Sequence, residues 1–254
     1  MTTATPSPRR ALVVGANQGI GFGFVKQLLR DPSISNLYAT YRSSTTSSEL
    51  LDLATQHEQL HCLPLEATSE GEIARIAAKI QGHGSGLDLA VNCVGILHHG
   101  DLQPEKSLRQ IDADQLLTYF QINSIPAILL AKHLQPLLKQ ETPTVFAHLS
   151  AKIGSIEDNH LGGWYGYRAS KAALNMFLKT AAIEYSRKNP NTIIVALHPG
   201  TTDTRLSEPF QRNVPPEKLF SVERTVAQLL KIIHNLTPAD NGTFFSWDGS
   251  RLPW

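Results

Sequence analysis

Tyr167 and Lys171 stand four positions apart in a stretch, Trp164 to Asn175, that leads into a predicted helix from Arg168 to about Arg187. On a helix, side chains at that spacing sit one above the other on the same face. A phenol beside an ammonium is an acid–base device. Two unit charges about 5 Å apart, at an effective dielectric near 20, interact by roughly 3 kcal/mol. That is about two pKa units, enough to bring a tyrosine from about 10 toward neutrality, where proton transfer works best. Taken alone the pair is weak, because a Tyr and a Lys at this spacing often arise by chance.

A second group of residues suits an anion. The apolar run Ala11-Leu12-Val13-Val14 reads as a buried strand, and it enters Gly15-Ala16-Asn17-Gln18-Gly19-Ile20-Gly21 and then an amphipathic helix from about Gly19 to Arg30. Glycines let the backbone turn sharply and approach a pyrophosphate, and the helix N-terminus offers it unpaired N–H groups. The next strand, Asn36 to Tyr41, ends at Arg42, with no Asp or Glu at Tyr41 or Arg42. Dinucleotide folds place an acid there for the ribose of NAD, or an Arg nearby for a 2′-phosphate. The pattern therefore points to NADP (NADPH) rather than NAD. A solvated loop charge is the plainer fate of Arg42.

These residues need a frame. His61 to Leu65 reads as a third strand, then Glu66-Ala67-Thr68 and a helix from about Ser69 to Ile80. Leu87 to Val91 is a fourth strand, ending in Asn92-Cys93-Val94-Gly95. A long helix is expected from about Asp112 to Lys139, kinked near Pro126, with Asn123 in the disturbed turn. A fifth strand, Thr144 to Leu149, runs into Ser150. The sixth, Thr192 to Leu197, runs into His198-Pro199-Gly200-Thr201-Thr202-Asp203-Thr204. Arg205 to Leu219 is expected to be irregular and to form a lid. A helix from about Val222 to Leu236 and a strand from Gly242 to Trp247 close the set. Strands alternating with helices imply right-handed βαβ units and a parallel sheet. The reading is an α/β fold: a Rossmann-like, doubly wound parallel sheet in three layers. Ligands of such sheets lie beyond the carboxyl ends of the strands, which puts Asn92 to Gly95 beside the cofactor. Cys93 reads as a small buried filler rather than a reactive thiol.

With 254 residues, 41% hydrophobic and 18% charged, one domain over residues 11–254 is expected, after a flexible tail at residues 1–10. The net charge of +1 and the lack of basic runs argue against nucleic acid and anionic membrane as partners. The two cysteines have no metal-ligand spacing, and no secretory signal or membrane span is read. A cytoplasmic location and no metal are the expectations.

Together, the glycine turn, Asn92 to Gly95, Asn123, Tyr167 with Lys171, and Pro199 to Thr204 make the chain resemble a short-chain dehydrogenase/reductase along nearly its whole length. The approach to the Tyr–Lys pair, through Gly154-Ser155-Ile156, Asp158-Asn159 and Gly162-Gly163, is most similar to C-factor and sniffer-type carbonyl reductases. The resemblance implies reduction of an aldehyde or ketone, or the reverse oxidation, with NADP(H). Tyr167 would be the general acid/base and Lys171 would hold the nicotinamide ribose, with Asn123 holding a linking water. The implied cofactor contacts are Gly15, Asn17, Gln18, Gly19, Ile20, Gly21, Arg42, Glu66, Ala67, Asn92, Cys93, Gly95, Tyr167, Lys171, Pro199, Gly200, Thr202 and Thr204. The chain departs from the family pattern where a hydroxyl should hold the substrate oxygen, because that position is Ala151. Ser150 is the expected replacement, with Ser155 the other candidate. The rival reading is a dinucleotide-binding signalling or regulatory protein with little or no turnover. The resemblance implies a small carbonyl or alcohol as the partner, and a homodimer or homotetramer through the long helices is the open expectation for assembly.

Overall fold

The computed structural model describes residues 9–84 and 86–254. Residues 1–8 of the expected tail lie outside the described residues. Arg9 and Arg10 do not belong to a tail, because strand β1 spans Arg9–Val14. The Arg10 N–H donates to the Asp88 carboxylate at 2.7 Å, which ties the strand's start into the fold.

The chain then alternates: α1 (Gly19–Leu28), β2 (Ile34–Tyr41), α2 (Ser48–Gln56), β3 (Leu60–Pro64), α3 (Glu70–Gly82) and β4 (Leu89–Asn92). Helices α4 (Ala113–Asn123) and α5 (Ile125–Leu138) follow, then β5 (Thr144–Leu149), α6 (Tyr165–Lys188) and β6 (Thr192–His198). Short strands β7 (Thr201–Thr202) and β8 (Leu219–Phe220) pair with each other, and α7 (Val222–His234) and β9 (Thr243–Ser246) complete the order. The main sheet runs β3-β2-β1-β4-β5-β6-β9, and every neighbouring pair is parallel. Strand order reverses direction between β1 and β4, the switch point where a doubly wound fold opens a crevice.

Alternation along β1 builds two cores. Leu12 and Val14 face α3, α5 and α6 through Ile73, Leu130, Leu134, Leu174 and Leu178. Ala11 and Val13 face α1, α2 and α7 through Phe24, Val25, Leu50, Val226 and Leu229. That period of two makes the three-layer sandwich.

The elements depart from the sequence reading in three places. Helix α2 has no counterpart in the sequence reading. The long helix with a kink at Pro126 is instead two helices joined at Ser124, which is the C-cap of α4 and the N-cap of α5. Pro126 sits in the first turn of α5, where its missing N–H leaves no hydrogen bond unmade. The break is held by the Ser124 hydroxyl, which donates to the Ser170 carbonyl at 2.6 Å. The expected irregular lid, Arg205 to Leu219, is not wholly irregular either: it forms 3-10 turns at Glu208–Asn213 and Pro216–Lys218 and ends in β8. Among the described residues no helix is long and apolar enough to cross a membrane, and no cluster of His, Cys, Asp and Glu could hold a metal ion.

Candidate active site

The glycine turn is a cradle made by backbone. Gly15 (φ 75°) and Gly19 (φ 52°) adopt left-handed conformations that side chains disfavour. A Cβ on Gly21 would lie 2.0 Å from the Gly15 carbonyl oxygen. Gly15 N–H donates to the Thr40 hydroxyl at 3.0 Å and Ala16 N–H to the Thr40 carbonyl at 2.8 Å, which fixes the turn against β2. Gln18 is the N-cap of α1 and makes no side-chain cap, and no acidic residue stands in the first turn. The helix therefore presents unpaired N–H groups and its positive end to an anion. Thr204, from beyond β6, reaches this turn: a Cβ on Gly19 would lie 3.3 Å from its methyl. Ile20 packs into the α1–α7 core.

The remaining expected cofactor residues divide by what their side chains already hold. The Asn17 amide donates to the Thr46 carbonyl at 3.3 Å, drawing the loop after β2 toward the turn. Arg42, at the start of that loop, is exposed. The Glu66 carboxylate accepts from the Thr68 N–H and hydroxyl, and Ala67 is buried. Asn92 accepts from Val94 N–H and donates to His148 Nδ1 at 3.3 Å. Burial pushes the Cys93 thiol well above its usual range, so it is a filler and not a nucleophile. Gly95 sits against both Asn123 and Lys171, since a Cβ there would be 3.4 Å from Asn123 Oδ1 and from Lys171 Nζ. Gly200 (φ 72°) follows Pro199 under Phe220 and Trp247. The Thr202 hydroxyl bonds Thr225 of α7 at 2.8 Å.

The catalytic candidates gather at the carboxyl ends of β4 and β5. Asn123 Oδ1 accepts from Ile96 N–H at 2.7 Å, and its amide donates to the Ile96 carbonyl and to the Ser170 hydroxyl, each at 3.0 Å. Its side chain thus clamps the loop after β4 onto α6. Lys171 is buried and donates to the Leu149 carbonyl at 3.0 Å, with Nζ 5.9 Å from the Tyr167 ring centre. Tyr167 is buried in a cluster with Leu97, Leu102 and Tyr119, against which Ala151, Ile153, Trp164 and Phe210 pack.

Two expectations fail here on physical grounds. The Tyr167 hydroxyl is not lowered by its lysine: burial raises it above its ordinary value, and Tyr119 adds to the rise. Desolvation also lowers the Lys171 ammonium to about 8. In a pocket this dry, the penalty on each charged form outweighs their attraction. Ser150, the expected stand-in for a hydroxyl at Ala151, does not meet Tyr167. Strand alternation carries through it, and its hydroxyl donates at 2.7 Å to Asn175, two helical turns beyond Tyr167 on the same face of α6. Ser155 is also occupied, donating to the Trp254 carbonyl and accepting from Asp158 N–H.

Sequence reasoning missed three participants. Asn175 continues the i, i+4, i+8 stripe from Tyr167 and Lys171 and was findable by that spacing. His148 is fully buried against Asn92 and held neutral, with burial and then Lys171 lowering it to about 3; an isolated strand histidine gives no such signal. Glu105 is buried 61 residues before Gly166, whose N–H it accepts at 3.1 Å, and nothing local marks it.

A family model for short chain dehydrogenases matches residues 9–215. The chain belongs to that family. Among solved structures, this short-chain dehydrogenase superposes on a carbonyl reductase from chicken fatty liver, solved with NADPH bound. Their TM-score is 0.87 and identity 31%, covering 98% of this chain and 100% of the other. The carbonyl reductase Sniffer of D. melanogaster gives a TM-score of 0.86 at 29% identity over the same shares. The C-signal protein of Myxococcus xanthus is 30% identical over 148 residues, 58% of this chain and 84% of that protein. These relatives match the C-factor and sniffer-type resemblance read from the sequence.

Proposed function

We propose that this short-chain dehydrogenase reduces an aldehyde or ketone to an alcohol with NADPH, and that Tyr167 delivers the proton. The observation that carries the reading is the state of Tyr167. Its phenol is buried, kept protonated through neutral pH, and set in an apolar pocket beside the buried Lys171. A neutral phenol is the donor form that reduction requires.

The residues present suit a dinucleotide. The turn from Gly15 to Gly21 packs the start of α1 against the Gly15 carbonyl with no room for a Cβ, and leaves uncapped N–H groups there for an anion. Gly15, Asn17, Gln18, Gly19, Ile20, Gly21 and Thr204 would hold the phosphates. Arg42, exposed and without an acidic neighbour in the strand end, would meet a 2′-phosphate bidentately. Asn92, Cys93, Gly95, Pro199, Gly200 and Thr202 would line the nicotinamide end, and Glu66 with Ala67 the adenine end. When bound, the cofactor supplies the hydride.

The chain's own groups then do three things. Lys171, still mostly charged at neutral pH with its value near 8, holds the ribose and favours the phenolate that proton transfer leaves behind. Asn123 fixes the Ile96 backbone and Ser170, and so keeps the floor of the pocket and α6 in register. Leu97, Leu102, Ile153, Trp164 and Phe210 exclude water around Tyr167.

A panel of aromatic and aliphatic aldehydes and ketones with NADPH, run beside titrations of NADPH and NADH, tests this. Turnover with NADPH is expected, with NADPH bound about tenfold or more tightly than NADH and Arg42→Ala erasing most of that gap. Equal or tighter NADH binding would overturn the cofactor assignment.

The second reading, a signalling or regulatory dinucleotide-binding protein, has one observation in its favour: Ala151 brings a methyl, not a hydroxyl, to the Tyr167 cluster. Tight NADPH binding with no turnover across the panel would select it.

A further inference from the structure

Three consecutive residues at the entrance to α6 have left-handed backbone: Gly162 (φ 65°), Gly163 (φ 67°) and Trp164 (φ 52°, ψ 45°). Glycine takes that conformation freely, whereas a bulky residue is strained by it. Trp164 is the one non-glycine residue with positive φ among the described residues. Such strain persists where the surroundings over-determine it, and it gathers at functional sites.

The surroundings here do over-determine it. The Arg168 guanidinium donates to the carbonyls of Gly162, Gly163 and Ile153 at 3.1, 3.0 and 3.3 Å. From the other side, the Glu105 carbonyl accepts from Trp164 N–H at 2.5 Å, and the Glu105 carboxylate accepts from Gly166 N–H. Helix α6 has no acidic residue in its own first turn and no side-chain cap at Trp164, so Glu105 supplies both from another loop. Gly166 must be glycine for this approach, since a Cβ would lie 2.9 Å from the carboxylate and 2.4 Å from the Tyr119 ring.

The result of all this bracing is the placement of one indole. Trp164 lies edge-to-face with Tyr167, ring centres 6.3 Å apart, and with Phe210 at 4.8 Å. Its N–H has no hydrogen-bond partner among the described residues, and it is not among their buried unpartnered atoms. Meanwhile a carbonyl oxygen gaining negative charge beside Tyr167 needs a second donor already in place. The nearby hydroxyls of Ser150 and Ser155 are bonded elsewhere, and Ala151 has none.

We propose that Trp164 is a catalytic residue whose indole N–H donates to the substrate carbonyl oxygen alongside Tyr167, in the place left open at Ala151. The inference rests on the reductase reading. In the step, hydride adds to the carbonyl carbon and the Tyr167 proton moves to the oxygen. The indole keeps its proton and only hydrogen-bonds the developing alkoxide.

The test uses 4-nitrobenzaldehyde on the full chain, with Trp164→Phe, Ala151→Ser and the double variant. Trp164→Phe keeps the aromatic wall and should lower kcat by roughly 10²-fold with KM little changed. Ala151→Ser should restore about tenfold or more of that loss in the double variant and do much less in the wild type, the non-additivity expected of two donors to one atom. Equal effects of Ala151→Ser in both backgrounds, or an unchanged kcat in Trp164→Phe, would overturn the proposal. A readout without turnover separates this from failure of the reductase reading. In the NADP-loaded protein, the indole ¹H–¹⁵N signal that disappears in Trp164→Phe should move downfield when 4-nitrobenzaldehyde is added. A signal that stays put would overturn the proposal even if the panel finds an active reductase.

Discussion

The two halves of this crevice are built by different means. On the β1–β2 side, the glycine turn is shaped by backbone: left-handed glycines, a contact with room for no Cβ, and hydrogen bonds from main-chain N–H groups to Thr40. On the β5–α6 side, position depends on side-chain hydrogen bonds made across long separations: Asn123 to the Ser170 hydroxyl, Ser150 to Asn175, and the Glu105 carboxylate to the Gly166 N–H. A backbone-built site tolerates no extra atom. A side-chain-built site tolerates substitution where a hydroxyl is structural and fails where a proton is needed.

The largest expected effect falls on the backbone side. Gly21→Ala forces a methyl to within 2.0 Å of the Gly15 carbonyl, and the obstacle is main chain that cannot step aside. Overpacking of this kind costs about 1–3 kcal/mol or more. Melting should drop by several degrees, roughly 2–4 °C per kcal/mol at this size, and an NADPH titration should find no saturable binding. Near-normal binding would mean the turn is looser than its geometry implies.

On the side-chain side, Lys171→Met should split stability from activity. Burial holds the ammonium at about 8 against 10.5 when exposed, a penalty of about 3 kcal/mol on the charged form. That penalty is fully present below about pH 8. It fades toward pH 10.5, because there the native chain has lost the proton while the unfolded chain keeps it. The variant should therefore be more stable than the wild type at pH 7, lose that advantage between pH 8 and 10.5, and lack turnover. Denaturant melts across that range check the sign, and a variant less stable at pH 7 contradicts it.

How far each half could be read from sequence follows the same division. Strand, glycine turn and helix are local, so β1, the turn and α1 were legible within a residue or two. The parallel sheet followed from the alternation of elements. Asn123 was legible as a residue in a disturbed turn, but not its clamp on Ile96, because that contact joins segments 27 residues apart. Ser150 was misread because the strand's alternation persists one residue beyond Leu149, where the Ser150 N–H still donates to the Leu197 carbonyl, and only the position of α6 shows that Asn175 waits there. The raised Tyr167 hydroxyl needs the burial supplied by Leu97, Leu102 and Tyr119, none of them its sequence neighbours.

The smallest effect is expected at Ser150. Ser150→Ala removes a buried hydrogen bond to Asn175 and should cost about 1–2 kcal/mol of stability, with turnover nearly unchanged. A strong loss of turnover at unchanged stability would return Ser150 to the catalytic set.

The central claim is that phosphate holding resides in the backbone-built half and proton delivery in the side-chain-built half, with Tyr167 as the proton's source. Tyr167→Phe tests it most directly, with carbonyl turnover and NADPH binding measured on the same preparation. The account predicts turnover lowered by roughly 10²–10⁴-fold, with NADPH affinity within about twofold of wild type. Turnover at the wild-type rate, or cofactor affinity lost together with turnover, would contradict it.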